Sequence, residues 1–112
     1  MKNKYNAKKT IGADGRTYDS KLEAKRAYEL QLMEKAGEIS SLQYQVAFDL
    51  HVNEIKIGRY ISDFIYNIGA ITVVEDVKGV RTPLFNWKAR HMEAEYGIVV
   101  SIYPPKKRKK RK

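Results

Sequence analysis

A chain of 112 residues and 13.0 kDa, with 43% apolar residues, is long enough to bury one core and too short for two. The absence of cysteine excludes disulfides, thiolate zinc sites and thiol nucleophiles together, and two histidines, His51 and His91, are a poor basis for zinc and read as surface residues. The net charge is +9, but seven of the 22 Lys and Arg residues are the last seven of the chain, Lys106, Lys107, Arg108, Lys109, Lys110, Arg111 and Lys112, which leaves 15 basic against 13 acidic residues elsewhere. The body is therefore near neutral and the tail is a polycation. That predicts a polyanionic partner, nucleic acid, held by counterion release without sequence preference; a solubilising tail or a nuclear-import signal is the blander reading. No apolar run reaches 18 residues and no apolar signal core follows the basic N-terminus, so the expectation is a soluble cytoplasmic protein with no membrane partner.

Residues 1–10 carry Lys2, Lys4, Lys8 and Lys9 without apolar periodicity, and residues 1–16 are expected to form a flexible basic arm ending in the turn signal Ala13-Asp14-Gly15-Arg16. Thr17 to Asp19 lead into a helix. Ser20 is its expected N-cap, Glu23 completes a capping-box pattern, and Gly37 is the natural stop. At about 100° per residue, Glu23 falls between Ala27 and Leu30 on the apolar arc, so an acid is expected to face inward.

Leu42, Tyr44, Val46, Phe48 and Leu50 alternate with more polar residues, which predicts a strand with one buried face and places Gln45 on the other. Asn53-Glu54 is a turn, and residues 55–66 form the return strand, with Gly58 marking a bulge or close approach. After a second turn at residues 67–69, residues 70–78 read as a central strand buried on both faces. Thr82 and Pro83 open a helix that runs to about Tyr96, with Leu84, Trp87, Met92 and Tyr96 for packing. Gly97 ends it, residues 98–103 form a short last strand, and Pro104-Pro105 precede the basic tail. The expected architecture is thus one α/β domain over residues 17–103, in α-β-β-β-α-β order, with residues 104–112 a disordered tail.

Residues 61–79, ISDFIYNIGAITVVEDVKG, place acids where a sheet should carry packing residues. Asp63 interrupts one apolar run, and Asp76 with Lys78 interrupts the next. Being two apart on a strand, Asp76 and Lys78 point the same way. Two carboxylates and an ammonium on neighbouring strands can hold a divalent metal beside a charge stabiliser, the layout of a metal-dependent phosphodiesterase.

These residues in this order resemble the PD-(D/E)XK nuclease superfamily, and within it a family of small phage-encoded nuclease-like proteins of junction-resolvase type. The resemblance covers about residues 17–103 and rests on SKLEAKRAYEL, LQYQVAFDL, ISDFIY, VVEDVKG and the helix around Lys88 and Tyr96. It implies a restriction-endonuclease-like core and a Mg2+- or Mn2+-dependent DNA endonuclease acting in phage recombination or replication. Asp63 and Asp76 would be metal ligands, Glu23 a further ligand, and Lys78 the lysine that orients or deprotonates the attacking water. Gln45 resembles a polar first-strand residue that contacts the site. Ser62 stands where the motif has proline, a position without chemistry, and Glu75 has Val77 two residues on, so Asp76 is the better match.

Each of these residues also has a plainer reading. Asp63 pairs with an arginine, Asp76 and Lys78 form a surface salt bridge, Glu23 is only a capping residue, and Gln45 is a polar face residue. Lys88 contacts phosphate or is a solvated helix charge. Tyr44, Tyr60 and Tyr66 are packing residues unless they surround a cleft and stack on unpaired bases. The chain is small for a base-reading surface, which favours recognition of branched or single-stranded DNA, and paired cuts would require a homodimer. The alternative is a non-catalytic nucleic-acid-binding protein that uses its basic arm and tail; a structural RNA-binding protein is a third reading, and it gives no reason for the buried acids.

Overall fold

A computed structural model describes residues 9–78 and 80–105. The basic tail residues 106–112 and residues 1–8 of the expected N-terminal arm lie outside the described residues. Strands β1 (Thr10–Ile11) and β2 (Thr17–Tyr18) form a small antiparallel hairpin. Helix α1 (Lys21–Lys35) follows, then β3 (Ser40–Val52), β4 (Ile55–Ile68), β5 (Ile71–Val77), α2 (Pro83–Tyr96) and β6 (Ser101–Tyr103). The four longer-range strands make one mixed sheet in the order β3-β4-β5-β6, with β5 and β6 parallel and the other pairs antiparallel. From α1 onward the order is the expected one. The β1–β2 hairpin is not: it begins inside the stretch read as an arm, and Thr17 and Tyr18 pair across the turn rather than leading directly into the helix.

Local chemistry accounts for the boundaries. The Ser20 hydroxyl accepts from the Glu23 N–H at 3.1 Å, satisfying one orphan donor of α1. At the other end Gly37, at φ 81°, donates to Glu34 O and Glu38 donates to Met33 O, the paired bonds of a Schellman stop. The two-residue turn Asn53-Glu54 has both φ values positive, as a tight hairpin requires. Just beyond it the register steps from Leu50↔Gly58 to His51↔Lys56, so Ile57 is the extra residue of a bulge beside Gly58.

Two apolar clusters fill the molecule. Tyr18, Ala27, Leu30, Ile39, Phe64 and Tyr66 pack between α1 and the sheet, and Leu50, Tyr60, Ile65, Val74, Phe85, Met92 and Val100 pack beneath α2. The alternating residues of β3 do not serve one layer as expected: Leu42 and Tyr44 join the α1 cluster, whereas Val46, Phe48 and Leu50 join the α2 cluster. The change falls at Gln45, whose φ of 51° is left-handed and costly for a residue with a Cβ. The β3–β4 register passes from Tyr44↔Phe64 to Val46↔Ser62 over Gln45 and Asp63. On α2, Phe85 and Met92 are the buried residues; Leu84 and Trp87, expected in the core, are exposed.

The centre of β5 is buried on both faces, as its composition predicts, but two of the three buried residues are acids, Glu75 and Asp76. Glu75 faces α1, where Arg26 Nε and Nη2 meet its two oxygens at 2.8 Å each and the Tyr66 hydroxyl donates at 2.7 Å. Arg26 also lies over the Tyr103 ring at 4.3 Å. This bidentate pair ties the first helix to the central strand. Truncating Arg26 strands a carboxylate in the interior, so Arg26→Ala is expected to lower the unfolding free energy by about 3 kcal/mol, read from urea denaturation. An Arg26→Met, Glu75→Met double variant should recover most of that loss.

Candidate active site

The kink at Gln45 brings α1, β3, β4 and β5 together at one point. Asp63 Oδ2 accepts the Val77 N–H at 2.8 Å, which fixes the carboxyl between β4 and β5. The Gln45 side-chain amide donates to Glu23 Oε1 at 3.2 Å and reaches Asp63 Oδ1 at 3.4 Å, so one group spans a helix acid and a strand acid. Asp76, 1% exposed, faces Asp63 within hydrogen-bonding reach and accepts from the Tyr60 hydroxyl at 2.6 Å. Lys78 Nζ lies 3.9 Å from Asp76 Oδ2 and 4.8 Å from the centre of the Phe85 ring. The residues expected to form a site, Glu23, Gln45, Asp63, Asp76 and Lys78, are therefore brought together.

Their electrostatics are uneven. Burial first, then the hydrogen bond and charge of Asp76, push the Asp63 carboxyl up to about 8, against smaller lowering by the Val77 N–H and Lys78. Glu23 is pushed up to about 7, by burial first and then by the charge of Asp63. The Tyr60 hydroxyl is pushed well above its ordinary value by burial and by Asp76. The chain thus concentrates carboxyl groups here, and among the described residues Lys78 is the nearby ammonium. Glu23 is also the N-terminal acid of α1, but that role does not explain its burial beside Gln45.

Two clefts open on this cluster. The first, of about 190 Å³, is lined by Arg16, Thr17, Tyr18, Asp19, Glu23, Tyr44, Gln45 and Asp63. The second, of about 300 Å³, is lined by Arg59, Tyr60, Ile61, Asp76, Lys78, Thr82, Leu84, Phe85 and Lys88. Lys88 donates to Arg59 O at 2.8 Å across the second cleft. Glu23 and Asp63 are thus reached from one side, Asp76 and Lys78 from the other.

Among the described residues, no three His, Asp or Glu side chains are already grouped so as to hold a metal ion. Mg2+ uses one or two carboxylates and completes its shell with water and substrate phosphate. Asp63 and Asp76 offer such a pair, all oxygen, with excess negative charge that a hard cation would relieve; the donor chemistry fits Mg2+ or Mn2+.

Several contributors were not singled out in the sequence as site residues. Tyr60, three residues before Asp63, would belong to the opposite face of a regular strand, yet it bonds Asp76 because the strand pair bends between them. Arg16 reaches the first cleft on the β1–β2 hairpin, its guanidinium 4.1 Å from the centre of the Tyr44 ring. Of the tyrosines considered for base stacking, Tyr60 and Tyr66 are buried with their hydroxyls on Asp76 and Glu75, and Tyr44 is half-buried at the first cleft. The histidines are not independent surface groups either: His51 Nδ1 lies 2.7 Å from Glu95 Oε2, and His91 Nε2 lies 3.1 Å from Glu95 Oε1 and 3.0 Å from His51 O.

The fold and the site define a small mixed α/β protein with a buried acid cluster and one lysine between two clefts. The chain belongs to the family described as "Protein of unknown function (DUF1064)", whose model matches residues 2–110. No curated protein and no solved structure matches it. No helix among the described residues is long and apolar enough to cross a membrane.

Asp63 and Glu23 have native pKa values above their ordinary 3.8 and 4.5. Between those limits and about 8 the native state holds protons that the unfolded chain has released, so stability falls as pH rises through this window. With chelator present, the melting temperature is expected to drop by several degrees from pH 5 to pH 8. Asp63→Asn, which keeps an oxygen for the Val77 N–H, should melt higher than the wild type at pH 8 and close to it at pH 5.

Proposed function

We propose that this protein is a Mg2+- or Mn2+-dependent DNA endonuclease that hydrolyses phosphodiester bonds, on a restriction-endonuclease-like core of the PD-(D/E)XK kind. The carrying observation is the convergence of Glu23 on α1, Asp63 on β4, Asp76 on β5 and Lys78 just past it, with one cleft reaching Glu23 and Asp63 and another reaching Asp76 and Lys78. The α-β-β-β-α-β order supports the same reading.

In this reading Asp63 and Asp76 would hold the cation, and Glu23 would add a third carboxylate. A bound Mg2+ supplies Lewis acidity toward the phosphoryl oxygen and lowers the pKa of an attacking water. Gln45 keeps Glu23 and Asp63 in register with each other, since its amide reaches both. Tyr60 orients Asp76 by donating to Oδ2. Lys78, one residue past the end of β5 and 3.9 Å from Asp76, would present a positive charge to the phosphate in the second cleft or orient the attacking water. Lys88 and the basic tail would add phosphate contacts without sequence preference. Recombination or replication intermediates with branched or single-stranded regions are the proposed substrates, and paired cuts across a branch would call for a homodimer.

The test is a cleavage panel of linear duplex, single-stranded, flapped and four-way DNA with Mg2+, Mn2+ or chelator. Metal-dependent cutting is expected, falling to background in Asp76→Ala, by more than about 100-fold in Lys78→Met and by about tenfold in Tyr60→Phe. Protein that binds DNA in chelator and cuts none of these substrates with either metal is the non-catalytic binder instead.

A further inference from the structure

The helix that walls the second cleft, α2, also carries large exposed side chains. Leu84 and Lys88 line the cleft, and Trp87, 54% exposed, stands three positions from Leu84, close enough on a helix for their side chains to be neighbours. A lone exposed apolar residue means little on its own. Here, however, a large exposed indole stands three positions from Leu84 and next in sequence to Lys88, both of which line a cleft of about 300 Å³ whose rim is cationic. Arg59 and Lys88 line it, Arg90 follows Trp87 by one helical turn, and the ion pairs among the described residues leave all three without a carboxylate. The Lys88 ammonium spends one donor on Arg59 O and has two left. The His51–Glu95–His91 contacts tie the following turn of α2 to β3, and the Trp87 ring lies 5.7 Å from His91, so the indole is mounted on a fixed support.

We infer that the second cleft and the Trp87 ring form a subsite for one unpaired nucleotide of the substrate strand, with Arg59 and Lys88 on its phosphate and Trp87 stacked on its base. The inference rests on the nucleic-acid reading above and not on the cleavage chemistry. Stacking on an indole needs a base whose face is free, which duplex DNA withholds and a single strand, flap or gap supplies. The subsite therefore selects for unpaired DNA and carries no sequence code.

Trp87 is the sole tryptophan of the chain, so its fluorescence reports on this subsite alone. In chelator, titration of the full-length protein with oligo(dT) is expected to quench the emission, whereas blunt duplex of equal charge binds with little quenching. By anisotropy with labelled DNA, Trp87→Ala should weaken oligo(dT) binding about tenfold and duplex binding far less, and Trp87→Phe should stay within about threefold of wild type. Lys88→Ala should weaken both ligands. Equal quenching by duplex, or oligo(dT) binding that is tight but unquenched and unaffected by Trp87→Ala, overturns the subsite. Quenching without any cleavage in the substrate panel would sink the endonuclease and leave this subsite standing; cleavage without quenching would do the reverse.

Discussion

Two interacting carboxyl groups, the half-buried Asp63 on β4 and the buried Asp76 on β5, are the constraint around which the rest of the molecule is arranged. Such a pair opposes folding when both groups are ionised, because burial removes hydration and proximity adds repulsion. The surroundings hold it in place without neutralising it. Val77 N–H fixes one carboxyl and the Tyr60 hydroxyl the other, while Gln45 links the pair to Glu23 on α1. None of these donors carries a charge. Among the described residues the nearby ammonium, Lys78, stands at 3.9 Å from Asp76.

Glu75 and Asp76 show the difference between an acid used for structure and one kept for something else. They are consecutive on one buried strand, so they point to opposite faces. Glu75 receives a bidentate guanidinium at 2.8 Å and a tyrosine hydroxyl, leaving its charge compensated inside the protein. Asp76 receives a tyrosine hydroxyl, a more distant ammonium and a second carboxyl. A fold indifferent to Asp76 would be more stable with an apolar residue there. An undercompensated buried charge opening on a cleft is the local inconsistency that marks a functional site.

The order of the main elements was legible because period, caps and turns are local signals: Ser20, Gly37, Asn53-Glu54, Thr82-Pro83 and Gly97 mark boundaries the structure reproduces. Strand alternation put Asp76 and Lys78 on one face with Asp63 on the neighbouring strand, while Glu23 joined them only through its helical angle and the family resemblance. What was not legible depended on the bend at Gln45. A strand read by strict alternation keeps one face throughout, so neither the division of β3 between two clusters nor the Tyr60–Asp76 bond could be anticipated. The β1–β2 hairpin escaped because its strands are two residues each, too short for any periodicity. Leu84 and Trp87 were assigned to packing because they are apolar, yet the inward face of α2 is set by Phe85 and Met92.

The bend also explains why the site is reached from two sides. Tyr44 packs against α1 while Phe48 packs toward α2, so the sheet surface turns over at the acids and leaves a cleft on either side of them. The β1–β2 hairpin with Arg16 walls one, and α2 with Lys88 walls the other. A flat sheet would bury Asp76 and Glu23 on separate faces with no common neighbour. Bending at Gln45 gives both acids the same neighbour, Asp63, with a cleft reaching Glu23 on one side and another reaching Asp76 on the other. The strain at Gln45 and the charge at Asp63 are thus parts of one device, since the residue that bends β3 is also the one whose amide joins the acids.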